Sequence, residues 1–124
     1  MDILLSVKSE YVKRIYDDTA SIVILKRVPR KLKHRDFVWF YEREKDAVTG
    51  LGRFYGSKIM SPKEALDKYR DEMGMTDTKF WNYVGDATEI VLIGFTIVSY
   101  MDKWLSLSAF GLKRAPQSYC YVED

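Results

Sequence analysis

Residues 47–69 read AVTGLGRFYGSKIMSPKEALDKY, and the choice of fold turns on this stretch. Its first part, roughly 47–60, reads as a strand, yet it contains Gly50, Gly52 and Gly56. Glycine inside a strand marks a bulge, a bend or a close approach of another backbone. Three of them in one strand predict a sharply curved sheet. The second part opens a helix with several agreeing signals. Ser61 is placed to cap it, Pro62 sits where a missing N–H costs nothing, and Glu64 can reach back to the cap. Ala65, Leu66 and Tyr69 supply an apolar stripe, and Gly74 ends the helix.

Working outward, DILLSV near the start reads as a first strand. Ser9 is expected to cap a helix over 9–17, with Val12, Ile15 and Tyr16 at helical spacing and the turn DDTA (17–20) ending it. SIVIL (21–25) is β-branched and short, hence a second strand. Pro29 puts the following basic segment in a loop or at a sheet edge. DFVWFYERE (36–44) is a third strand with contacts on both faces. A short helix from Thr76 is expected to bury Phe80, Trp81 and Val84 and to stop at Gly85. The longest strand is expected over 87–99. LSLSAFGL can hold one helical turn, and RAPQSYCYV closes the chain extended. The order β-α-β-β-β-α-α-β-turn-β lacks regular βαβ alternation, which argues against a doubly wound parallel sheet. The expected class is α+β: one domain, 1–124, built as a small mixed, mostly antiparallel β-barrel with short helices packed on it.

The chain has 124 residues, enough for one real core. No apolar run approaches the roughly 20 residues of a membrane helix, and MDILLSVKSE is not read as a signal peptide. A single cysteine, Cys120, forms no internal disulfide, so a reducing cytoplasm is expected. The net charge of +2 is unevenly spread. Residues 1–60 carry 13 basic and 8 acidic side chains, and residues 61–124 carry 7 and 10. The excess is densest in KRVPRKLKHR (26–35): six Lys or Arg, one His and no acid. Such a run is either a solvated loop or a phosphate-binding surface.

The residues for several chemistries are missing. His34 and Cys120 stand in no metal-ligand spacing, and no phosphate-binding glycine loop occurs. Asp17 and Asp18 are adjacent turn residues, which shows no convergence on a cleft. Glu42 and Glu44 are the remaining acid–base candidates, on one strand face if the strand lasts that far. Lys26, Arg27, Arg30, Lys31, Lys33 and Arg35 could hold phosphates, and Trp39, Tyr41, Tyr55 and Trp81 could stack bases if exposed.

VKSEYVKRIYDDTASIVILKRVPRK resembles the opening of an ASCH domain, a small barrel of the PUA-like superfamily. VWFYERE, the Gly-kinked strand with its Ser-Pro-capped helix, and GLKRAPQSYCYV resemble later parts of that family in the same order. The resemblance implies the barrel and an RNA-related or nucleoside-related ligand. It also implies a signature of Gly, Lys, Glu or Thr, and Arg, which falls here on Asp18, Ala20, Val23 and Leu25. In amidohydrolase members the Lys and Thr positions are catalytic. Ala and Val supply no nucleophile, and Leu supplies no anion grip.

The expectation is therefore a non-catalytic ASCH/PUA-like domain with a degenerate site. It would bind RNA or another nucleic acid through the basic loop, beside a cleft lined by Ala20, Val23, Leu25, Trp39, Tyr41 and Tyr55. No cofactor, metal or membrane is expected. The alternatives are a nucleoside amidohydrolase (N4-acetylcytidine type) or ribonuclease with a rewired site, and a protein-interaction module with an apolarised cleft.

Overall fold

The structure, a computed structural model, describes residues 1–18 and 20–123. Thr19, in the turn expected at 17–20, lies outside the described residues. The elements are β1 (Asp2–Val7), α1 (Ser9–Tyr16), β2 (Ile22–Leu25), β3 (Phe37–Glu42), β4 (Ala47–Met60), α2 (Pro62–Met73), α3 (Asp77–Val84), β5 (Ile90–Leu105) and β6 (Tyr119–Val122). Single 3-10 turns lie between β3 and β4 (Arg43–Lys45) and between β5 and β6 (Leu107–Phe110).

The strands form one mixed sheet in the order β2-β5-β4-β3-β1-β6. Among the described residues only β1 and β3 pair in parallel. The sheet curls into a half-barrel, the mixed and mostly antiparallel barrel the sequence predicts. Its curvature comes from β4. The β4–β5 ladder slips at Val48/Gly50, Leu51/Arg53 and Phe54/Gly56, each time at or beside a glycine. Gly50 has a further reason. A side chain there would press into the Tyr16 ring and the Ser99 carbonyl. β2 and β6 are left as the free edges, and the segment between β2 and β3 runs from one towards the other.

Strand alternation separates three cores. Val38 and Phe40 face inward with Ile3, Leu5, Leu25 and α1's Val12 and Ile15. Ile24, Leu92 and Ile90 face outward, beneath α2 and α3. Leu4, Tyr41 and Val48 face outward at the other end, beneath the 107–115 segment. The helix ends of α2 and α3 follow their sequence signals. Ser61 accepts from the Glu64 N–H (3.2 Å), Thr76 accepts from the Lys79 N–H (3.3 Å), and Gly74 takes a left-handed φ of +64°.

Four local expectations are corrected. Ser9 does not cap α1. It is the first helical residue, and its N–H donates to the Glu44 carboxylate (2.7 Å). The third strand ends at Glu42, so Glu42 and Glu44 share no strand face. Glu42 is buried beside Lys45 (3.4 Å) and Glu44 is exposed. Trp81 stays exposed while Phe80 and Val84 are buried, because neighbouring helical residues diverge by about 100°. β5 continues to Leu105, since β4 is long enough to pair with its polar second half.

Candidate functional site

The basic segment leaves β2 and crosses the gap towards β6. Three contacts fix its course. Leu32 is buried in the inner core, the Lys31 N–H donates to the Tyr121 hydroxyl (3.1 Å), and the Arg35 N–H donates to the Phe54 carbonyl (2.7 Å). Its cations are therefore not on a freely moving loop. Lys26 sits over the Tyr83 ring (5.4 Å), Arg27 over Tyr119 (5.3 Å) and Lys31 over Tyr121 (5.6 Å). Such contacts keep a cation near an aromatic face while leaving its charge unneutralised. Among the described residues, none of Lys26, Arg27, Arg30, Lys31, Lys33 and Arg35 joins an ion pair. The segment's far end is stapled to the sheet. The Lys33 N–H donates to Asp36 (2.8 Å), His34 lies against Tyr55, and Arg53 donates to the Arg35 carbonyl (2.9 Å).

Lys26, Arg27, Arg30 and Lys31 line one depression of about 550 Å³. Tyr119 and Tyr121 of β6 form one wall, and Val28, Ile59, Ile90 and Val91 supply its apolar parts. Among the described residues, Glu89 is the only acid in this lining. Lys33 and Arg35 lie beyond it.

A cavity of about 470 Å³ lies across β2, between α1 and α3. Ala20, Val23 and Leu25 line it, joined by Leu5, Met73 and Met75. Val23 and Leu25 share the inner face and pack with the inner core. Leu25 is 2 % exposed, so it fills space rather than offering a surface. Lys79 of α3 pairs with Glu10 of α1 (2.9 Å), and both line the cavity, so the two helices are tied across it. That pairing holds the Lys79 ammonium above its usual pKa. A nucleophilic amine needs the opposite shift. Tyr83, whose hydroxyl donates to the Ile24 carbonyl (3.3 Å), is also pushed up, by burial. Arg43 is spent on structure, donating to the Ser6 hydroxyl (2.9 Å) and the Gln117 carbonyl (2.7 Å).

Trp39, Tyr41 and Tyr55 do not join the cavity. Trp39 packs edge-on against Phe110 on the outer face. Tyr41 is buried there and donates to Asp46, a bond that, with burial, pushes its phenol up to about 12. Tyr55 is exposed on β4. Their strand alternation places Trp39 and Tyr41 opposite to Val38 and Phe40, and β3 lies three strands from β2. Sequence reasoning missed Tyr83, Tyr119 and Tyr121, the rings over which the cations sit. Nothing local could have found them, because they lie 57, 92 and 90 positions from Lys26, Arg27 and Lys31. Among the described residues no cluster of His, Cys, Asp and Glu could hold a metal, and no helix is long and apolar enough to cross a membrane.

The profile of a family described as "Domain of unknown function (DUF365)" matches residues 1–110. No curated protein matches the chain by sequence. Among solved structures, ASCH from Zymomonas mobilis superposes with a TM-score of 0.87 at 15% identity, covering 98% of this chain and 87% of that one. Two single-substitution mutants of that protein give 0.87 at 13% identity and 0.85 at 14%. They cover 98% of this chain in both cases, and 90% and 88% of their own. At such identities the likeness establishes the fold, and the fold is the ASCH one that the sequence resemblance implies.

Proposed function

The chain belongs to the DUF365 family, and on its ASCH fold we propose that residues 1–124 act as one non-catalytic, PUA-like domain that binds RNA or another nucleic acid through the basic segment. One observation carries this reading. Six cations without acidic partners among the described residues stand on one crossing segment, four of them around a single depression. Polyphosphate is the ligand that such a cluster attracts, and Arg adds bidentate grip. The absence of catalysis rests on Ala20, Val23 and Leu25, which bring no amine, hydroxyl or guanidinium to the cavity. A reducing cytoplasm is the proposed setting, in keeping with the free Cys120.

A fluorescence-anisotropy titration against labelled oligonucleotides tests the binding. Affinity should be measurable at low salt and fall at least ten-fold in the triple variant Arg27→Ala, Arg30→Ala, Lys31→Ala. Absence of binding to RNA and DNA alike would sink the reading. Incubation with N4-acetylcytidine and with total RNA tests the non-catalytic part. Turnover that disappears in Lys26→Ala would show a rewired enzyme instead.

A further inference from the structure

Resting on that reading, we propose that the depression between β2 and β6 seats an unpaired base, so that the ligand is single-stranded nucleic acid rather than duplex. Phosphate attraction accounts for Lys26, Arg27, Arg30 and Lys31. It does not account for Ile59. This side chain is 54 % exposed, yet it stands in a lining that holds four cations. Solvated phosphates gain nothing from an exposed isoleucine. The face of a nucleobase does, by covering apolar surface. Half-buried Val28 adds to the same patch from the crossing segment.

The arrangement also sets a geometry. Arg27 and Lys31 are held over Tyr119 and Tyr121 on the β6 side, while the exposed Ile59 comes from β4 and the buried Ile90 and Val91 of β5 only close the lining. Cations and apolar surface therefore converge on the same hollow from different elements. A strand of nucleic acid presents the same pairing within one nucleotide: a charged backbone and a flat apolar base. In a duplex the bases are stacked and paired, so only phosphates could meet this site and the apolar part would stay wet. The volume of about 550 Å³ is that of a local seat, not of a groove following a helix.

The test compares an oligo-uridine, an oligo-thymidine and a blunt duplex of equal length at one salt concentration. The single strands should bind about ten-fold tighter, the equivalent of one stacked base. In Ile59→Thr, which keeps the β-branch that suits a strand, that advantage should vanish while duplex affinity and salt dependence stay unchanged. A 2-aminopurine placed within the single strand should change its emission on binding to the unmutated protein. Duplex bound as tightly as single strand, an unaltered advantage in Ile59→Thr, or an unresponsive 2-aminopurine would each overturn the seat while leaving nucleic-acid binding in place. Binding to none of the three ligands would overturn both.

Discussion

At the scale of single residues, Val23 and Leu25 share one strand face and line the same cavity, but they are buried to different degrees. Leu25 is packed in the inner core at 2 % exposure, while Val23 is only partly buried against it. The two should therefore respond differently to polar replacement. Leu25→Arg buries an unpaired guanidinium and should cost about 3 kcal/mol or more. Val23→Thr, partly exposed to the cavity, can turn its hydroxyl to solvent there and should cost about 1 kcal/mol. Urea unfolding measures both, and equal losses would refute the distinction. Tyr41 offers a second residue-scale prediction. Its hydrogen bond to Asp46, then burial, raise the phenol from an ordinary value near 10 to about 12. The folded state thus favours the protonated form. The stabilisation is fully present below pH 10 and is lost as pH climbs from about 10 towards 12. Thermal melts of Tyr41→Phe should show a flatter alkaline decline than those of the unmutated protein.

At the scale of elements, β4 is the part whose sequence most directly dictates shape. Its glycines have unequal roles, however. Gly50 lies where α1's Tyr16 and the β5 backbone meet, and Tyr16's hydroxyl is shared with the buried Thr49 (2.7 Å). Gly56 faces open space. Gly50→Ala should therefore destabilise by about 1–3 kcal/mol through overpacking. Gly56→Ala should stay within about 0.5 kcal/mol. Chemical denaturation of the two variants decides this, and similar values would mean that curvature, not close approach, fixes Gly50. The helices divide in the same way. α2 and α3 carry their own caps in their own sequence, at Ser61 and Thr76. α1 borrows its N-terminal partner, Glu44, from 35 positions away. That carboxylate is held below its usual pKa chiefly by the Ser9 N–H it accepts from. No local reading of the sequence around Ser9 could have found it.

At the scale of the whole molecule, the segment that leaves the edge strand β2 passes against the other edge strand, β6, and is cationic along most of its length. This placement turns a charge run into a surface. If the six cations Lys26, Arg27, Arg30, Lys31, Lys33 and Arg35 all contact phosphate, log affinity for a single strand should fall against log salt with a slope of about −4. If only the four around the depression do, the slope should be about −3. Titrations at four or five salt concentrations separate the two, and a slope near zero would remove phosphate contact altogether. The alanine triple variant should flatten the slope by about 2 in either case.

The sequence by itself determined the element order, the curvature of β4, the caps of α2 and α3, and the apolar character of Ala20, Val23 and Leu25. These are written locally: in glycine spacing, in Ser-Pro and Thr helix starts, and in side-chain types that hold no nucleophile wherever they end up. Tertiary structure alone decided which surfaces came together. It put Trp39 and Tyr41 on the outer face, away from the cavity expected to hold them. It brought Tyr83, Tyr119 and Tyr121 beneath the cations. It also set Ile59 exposed among them. The reason is physical. A strand's alternation says which residues share a face, but whether a face meets the core, a helix or solvent depends on which strands lie beside it. Pairing distant segments is the work of long-range burial, which no short stretch of sequence encodes on its own.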